Sequence, residues 1–491
     1  MKTILISLVT VALLTIPLLL LAQENFDDYF IDKTMRIDYF HVGNSKDETI
    51  TIDVISQQGA WAGSTKNLID DRNIGRYYYK VYDTASKKLI FSKGFDAYFG
   101  EYKTVDEAIK GIKKSYHESA LIPYPKKKIL FTVELRNRKN ILEKIFEQEI
   151  DPASTNINKE PLSSDTRVLK IHYSGEPHSH LDIAVIAEGY TAAEEPKAIK
   201  DFNRFAKTML SQEPYKKMKD KINIYGVLKF SQESGCDEPS HGSFKNTALD
   251  ATFDSLGSER YLMTENNKKL RDVAAAAPYD ALVIMVNHKR YGGGGIYNLF
   301  SVFTTDNQWY EYLIIHEFGH SFAGLADEYY NSASSYNDFY PRGVEPVEPN
   351  ITALLKPKDL KWKTLASKGI EIPTPWEKED FDKMDLAYQK IRQELNKKLA
   401  EMKRSGAPKD DIAKLEKEIE ERSRKSALDS DNYLAKSKFV GKVGAFEGAG
   451  YSSKGLYRPM LDCIMFTKGF KPFCKVCEEA IARAIKHYTN D

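Results

Sequence analysis

The chain has 491 residues, with 71 basic and 70 acidic side chains and a formal net charge of +1. That balance excludes the strongly basic nucleic-acid binders and the acidic disordered tails. With 42% hydrophobic residues, a chain this long buries a sizeable core without covalent staples and spans two or three domains.

Residues 1–22 carry Lys2, a long apolar run and Ala22 before the polar Gln23. The pattern predicts a secretory signal peptide cleaved after Ala22, and so an exported protein, periplasmic or secreted. A retained anchor is the alternative, because the run approaches the length of a membrane span. No cysteine lies near the cleavage point, so lipid attachment is not expected. After cleavage no stable membrane insertion is expected either. Four cysteines, Cys236, Cys463, Cys474 and Cys477, are too few to hold a fold of this size. Cys474 and Cys477 form a CxxC, which in a cytosolic chain suggests redox chemistry or a structural metal. Behind an export signal, one or two disulfides within residues 463–477 are expected instead.

Residues 23–150 read as one domain, in which the pattern from about Phe30 to Ile150 is mostly period two. Ile50, Ile52 and Val54 face one way while Thr49, Thr51 and Asp53 face the other. This predicts a small antiparallel β-sandwich-like domain with one wet face and a helical interruption at residues 105–114. It contains no catalytic constellation and is expected to do no chemistry. A polar, Pro-containing linker follows at residues 151–165. Residues 166–491 are mixed α/β. LDIAVIAEGY begins as a buried strand, and Phe202, Phe205 and Met209 fall at helical spacing. The glycine run 292–295 leads into a strand at 296–303, directly before EYLIIHEFGHSFAGL, which reads as a central buried helix. Residues 376–430 are dense in Lys and Glu, with Met384, Tyr388, Ile391, Leu395 and Leu399 at helical spacing and a break at 404–408. They predict an inserted antiparallel helical hairpin whose charges form a solvated face.

HEFGH is the decisive motif. His316 and His320 are four residues apart, so a helix stacks them one turn above each other where they can share one metal. Glu317 stands beside them as the general base of a zinc-dependent peptidase. The third ligand is expected after the helix, which Gly324 can end in a left-handed turn. Metzincins read HExxHxxGxxH. Here one extra residue separates His320 from Gly324, and Asp327 stands where the last His would be. Asp327 is therefore the expected ligand and Glu328 the alternative, and either could instead serve a salt bridge or a calcium-like structural site. Metzincins also carry a Met turn below the metal. Met465 is the candidate, with Met460 second. Two positions after Met465 stands Thr467, so Tyr451, Tyr457 and Arg458 are the candidates for transition-state assistance. Gly294, Gly295, Ile296 and Tyr297 are expected on the upper rim, binding extended substrate through an exposed strand edge. Within the enzyme class, a gluzincin ligand among residues 371–379 is the competing choice. From another class, the competitor is a catalytically inactive surface protein on a zincin scaffold that binds protein or glycan.

Several segments resemble the IgA-peptidase-like zinc metallopeptidase family: AEGY at 187–190, SQEPY at 211–215, NTALDATFDSLGSERYL at 246–262, HEFGHSFAGLADEY at 316–329, GAFEGAGY at 444–451 and YRPMLDCIMF at 457–466. The N-terminal sheet is similar to the β domain that precedes the catalytic domain in Bacteroidetes members. The resemblance implies an α/β zincin, metzincin-like, fold with one catalytic Zn2+. It implies endopeptidase action on a protein or glycoprotein, and roles for His316, Glu317, His320 and a following acidic residue. IgA, which names the family, is not carried over as the substrate. Under this resemblance the charged hairpin is an insertion beyond the common pattern.

Overall fold

The computed structural model describes residues 25–161, 165–259, 261–330 and 339–489. The predicted signal peptide lies outside the described residues.

The N-terminal part is all antiparallel. A one-turn helix α1 (Phe26–Tyr29) leads into β1 (Phe30–Gly43), which pairs with β2 (Glu48–Gln57). Then come β3 (Tyr77–Asp83), β4 (Leu89–Phe95), the short helices α2 (Tyr98–Tyr102) and α3 (Asp106–Ile109), β5 (Lys114–Pro125), β6 (Ile129–Arg136) and β7 (Leu142–Ile150). They form two sheets, ordered β2-β1-β5 and β4-β3-β6-β7. Alternation explains the arrangement: Met35, Ile37 and Tyr39 of one sheet share a core with Tyr77, Tyr79, Val81, Phe131 and Val133 of the other.

The second part is mixed α/β. Its strands are β8 (Arg167–His172), β9 (Leu181–Glu188), β10 (Ile222–Leu228), β11 (Ala281–Val286), β12 (Gly293–Ile296) and β13 (Phe300–Thr304). The sheet order is β12-β13-β11-β9-β10-β8. The four inner strands run parallel, and both edge strands, β8 and β12, run antiparallel to their neighbours. Every residue of β9 and β10 is buried, as expected of parallel strands covered on both faces. Helices α4 (Glu195–Met209) and α5 (Asn267–Ala274) belong to different core clusters, with Phe202, Phe205 and Met209 of α4 in the larger one. Helix α6 (Tyr310–Ala323) packs on β12 and β13. Next come the long helices α7 (Lys378–Arg404) and α8 (Lys409–Leu434), then the hairpin β14 (Val443–Ala449) and β15 (Ser452–Met460), and finally α9 (Lys475–Tyr488). No described helix is long and apolar enough to cross a membrane.

The two parts are not separable lobes. Tyr98, Phe99, Tyr102 and Tyr116 of the N-terminal part share a core with Ile186 of β9, Val227 of β10 and Ile284 of β11. Each such aromatic contributes roughly 1.5–3 kcal/mol when buried. Arg36 donates to Asp272 at 2.6 Å, and the Asp96 amide donates to the Tyr297 carbonyl at 2.8 Å. The N-terminal part also lines the cleft described below. Residues from Ser164 onward, taken alone, would expose that shared core and lose one wall of the cleft.

Candidate active site

Helix α6 is apolar on most of its surface, with Leu313, Ile314, Ile315, Phe318 and Phe322 buried against the sheet and neighbouring helices. That burial fixes the helix and directs its one polar stripe, His316, Glu317 and His320, into a cleft of about 1460 Å³. The helix ends at Gly324, which has a left-handed φ of 63°. Its amide donates to the His320 carbonyl at 3.1 Å and the Leu325 amide to the Gly319 carbonyl at 3.2 Å. The extra residue between His320 and Gly324 is thus absorbed by the helix end.

The imidazoles are oriented from behind. His316 Nδ1 lies 3.1 Å from the Ile464 carbonyl and His320 Nδ1 lies 2.6 Å from the Leu325 carbonyl. A carbonyl only accepts, so each Nδ1 carries the proton and each neutral ring turns the Nε2 lone pair forward. The two Nε2 atoms stand 3.2 Å apart. Asp327 Oδ1 stands 3.1 Å from one and 3.2 Å from the other. This oxygen is buried and carries no hydrogen bond. Three lone-pair atoms converging at such distances repel one another unless a cation sits among them, and a tetrahedral ion with bonds of ~2.0–2.1 Å spans edges of that length. The residues present fit a metal. Burial opposes the charged imidazolium, but the neighbouring Asp327 carboxylate outweighs it and pushes His320 up to about 9. For Asp327, burial acts upward and is outweighed by the two histidines, which hold its carboxyl well below the usual range.

Asp327 is aimed by contacts remote in sequence. Its Oδ2 accepts the Tyr451 hydroxyl, and its carbonyl accepts the Gly450 amide at 2.9 Å. Gly450 and Tyr451 form the two-residue turn between β14 and β15, and both have positive φ, 53° and 63°. Tyrosine is costly there, by about 1–2 kcal/mol, so the fold accepts strain to bring this hydroxyl to the carboxylate. Glu328 faces away from the histidines, toward Asn350 and three cysteines. The structure therefore brings Asp327, and not Glu328, to His316 and His320.

Glu317 lies in the cleft, its carboxylate within 4.8 Å of the ligand atoms of both histidines. Met465 is fully buried beneath the helix: a Cβ on Gly319 would stand 3.2 Å from its sulfur, and its carbonyl accepts the Glu328 amide at 2.9 Å. Met460 pairs with Val443 at the end of β15. Of the rim residues, Gly294 and Gly295 line the cleft with Gly293. Ile296 is buried in the core beneath the sheet. Tyr297 also lines the cleft, though only 3% exposed, and its carbonyl accepts the Asp96 amide of the N-terminal part, so it braces the two parts. The glycines also have another cause than the one expected. A Cβ on Gly295 would lie 2.4 Å from the Glu317 carbonyl, and one on Gly293 would lie 2.8 Å from Glu317 Oε1. Gly293 and Gly295 are small because α6 presses on β12, whereas a Cβ on Gly294 would lie 2.7 Å from Met263 Sδ and from the Tyr261 ring.

Two candidates for transition-state assistance stand elsewhere. Arg458 is fully buried between the rings of Trp376 and Phe466 and donates to the carbonyls of Gly448 and Leu461. Tyr457 pairs its backbone with Thr352. Neither lines the cleft, whereas Tyr451 does. Glu371, Glu377 and Glu379 are exposed and outside the cleft, so no later glutamate in that stretch reaches the histidines.

The cleft has walls that the sequence did not reveal. Arg76, Asp96 and Arg136 from the N-terminal part form one, and Gln389, Arg392, Gln393 and Asn396 of α7 with Glu416 and Ser423 of α8 form another. The hairpin is pinned across the catalytic part by Lys289–Glu416 at 2.8 Å and by Trp309 Nε1 donating to Ser423 at 3.2 Å. Its inner charges face the cleft, and only its outer face is the solvated surface expected. Polar side chains on helices of that composition carry no signal of which face turns inward.

A family model described as IgA Peptidase M64 matches residues 169–485, and one described as Peptidase M64 N-terminus matches residues 25–147. A search of curated proteins found no match. The first model alone spans more than half of the chain, so the chain belongs to the IgA peptidase M64 family and is a metallopeptidase, with the zincin-like catalytic domain that membership implies.

Proposed function

We propose that this protein is an exported, metzincin-like zinc endopeptidase that cuts protein or glycoprotein chains. The observation that carries the reading is the convergence of His316 Nε2, His320 Nε2 and the unbonded Asp327 Oδ1 at 3.1–3.2 Å. These three atoms would hold the ion. A zinc ion there supplies Lewis acidity, polarising the scissile carbonyl and bringing the pKa of the attacking water to about 7.

The chain's own residues do the rest. Glu317 takes the proton of the attacking water and returns it to the leaving amine. The carbonyls of Ile464 and Leu325 fix the imidazole tautomers. Tyr451 holds the second oxygen of Asp327, so the first stays turned toward the metal. Met465 fills the floor. Strand β12 is an edge strand, paired to β13 on one side and bridged by Tyr261 at Gly293. An extended substrate would add beside Gly294 and Gly295 through backbone hydrogen bonds. The domain division expected from the sequence, with the hairpin as an insertion, suits this reading, because the N-terminal part and the hairpin both narrow access to a common catalytic core.

Metal removal tests the reading. Chelation is expected to abolish hydrolysis of an unfolded protein substrate, and stoichiometric Zn2+ to restore it. Undiminished hydrolysis by fully metal-free protein would reject it.

A further inference from the structure

Among the described residues a second group of metal-type donors lies behind the first. Glu328, Cys463, Cys474 and Cys477 are all buried, with ligand atoms within 4.8 Å of one another. The Sγ atoms of Cys463 and Cys477 are 3.9 Å apart, and Glu328 Oε1 lies 3.8 Å from Cys474 Sγ and 3.3 Å from Cys477 Sγ. A disulfide needs about 2.05 Å. A tetrahedral zinc with Zn–S of ~2.3 Å and Zn–O of ~2.0–2.2 Å has edges of about 3.8 Å between sulfurs and about 3.5 Å from sulfur to oxygen. The observed spacings match the second geometry.

Three further observations agree. Three cysteines cannot all pair, and Cys236 lies in a different core cluster and cannot be the fourth. Two of the sulfurs accept backbone amides, as metal-bound thiolates do: Cys463 Sγ from Cys474 at 3.1 Å, and Cys474 Sγ from Cys477 at 3.4 Å at the start of α9. Glu328 is fully buried, yet its Oε2 has no hydrogen-bond partner, while Oε1 accepts only Asn350 besides the thiols. A buried carboxylate left in that state is costly unless a cation compensates it. The buried guanidinium of Arg458 interacts electrostatically with Glu328 and balances part of the negative charge of three thiolates and a carboxylate.

We propose that Glu328, Cys463, Cys474 and Cys477 form a second, closed zinc site with a structural role. On binding, three thiol protons pass to solvent and four protein ligands complete the tetrahedron, leaving no open position for catalysis. The site joins three segments that shape the active centre. Glu328 follows Asp327 directly, Cys463 precedes the Ile464 carbonyl that orients His316, and Cys474 and Cys477 open α9. Its ion acts as a positioning element for the catalytic ligands.

The test uses the full-length exported protein, its zinc content and its thiols. Wild type is expected to hold two zinc ions per chain, and a His316→Ala/His320→Ala variant one. Alkylation after denaturation with chelator and without reductant is expected to label all four cysteines. Release of the second zinc by a mercurial should track titration of three thiols. Absence of zinc from a folded His316→Ala/His320→Ala variant would overturn the proposal. So would a disulfide among Cys463, Cys474 and Cys477 in wild type, a measurement that needs no variant to fold. Neither result would touch the catalytic reading, which stands on the other ion.

Discussion

Glu317→Gln is expected to lower hydrolysis of a peptide substrate by ~10²–10⁴-fold, the range for a lost general acid–base group, while catalytic-site zinc remains bound. The amide keeps the size and cleft position of the side chain but cannot accept the water's proton. The distinction matters because Glu317 lies close enough to both histidines to be mistaken for a ligand. If it were one, the substitution would strip the metal along with the activity. Turnover should fall with little change in KM, because the proton is transferred only during the chemical step. Activity near wild type would remove Glu317 from the role of base. Loss of metal would move it into the ligand set.

Asp327→Ala has the opposite signature. It removes one of three converging donors and leaves two imidazoles with open cleft beside them. Zinc affinity at the catalytic site should fall by at least ~10²-fold, since even residues that only orient ligands cost 10–100-fold. Activity should return partly at high zinc concentration, which Glu317→Gln cannot do. Glu328→Ala, by contrast, removes none of the catalytic metal's three donors, and should lower affinity there less than Asp327→Ala does. Equilibrium zinc titration by competition with a chromophoric chelator reads these differences. An Asp327→Ala protein with wild-type affinity would mean that a different side chain completes the site.

The heart of the site was legible because its signals are local. HEFGH needs only the helix to bring its donors together, the apolar residues around it make that helix central, and Gly324 marks its end. The choice between Asp327 and Glu328 was not local. It is made by the backbone beyond Gly324, by Asn350 bonding the Ala326 amide from 24 residues away, and by Tyr451 reaching Asp327 from 124 residues away. The glycine run was readable as a cleft element, but its cause, the close approach of α6 to Gly293 and Gly295 and of Tyr261 and Met263 to Gly294, depends on packing. Arg458 invited a role in the cleft through its position near Tyr451, yet the alternation along β15 turns it inward. The cysteine segment predicts disulfides because an export signal precedes it, whereas the structure holds its cysteines free and sets beside them Glu328, 149 residues before Cys477. Period two marked the N-terminal strands clearly, whereas their shared core with the catalytic sheet and their wall of the cleft arise only once the chain is folded.

The most direct test of the account is an anomalous difference map at the zinc edge from crystals of the zinc-loaded protein. A peak is expected at ~2.0–2.2 Å from His316 Nε2, His320 Nε2 and Asp327 Oδ1, with the Glu317 carboxylate free of the ion and facing the open coordination position. A map with no peak among these three atoms, or with the ion held by Glu317 in place of Asp327, would contradict it.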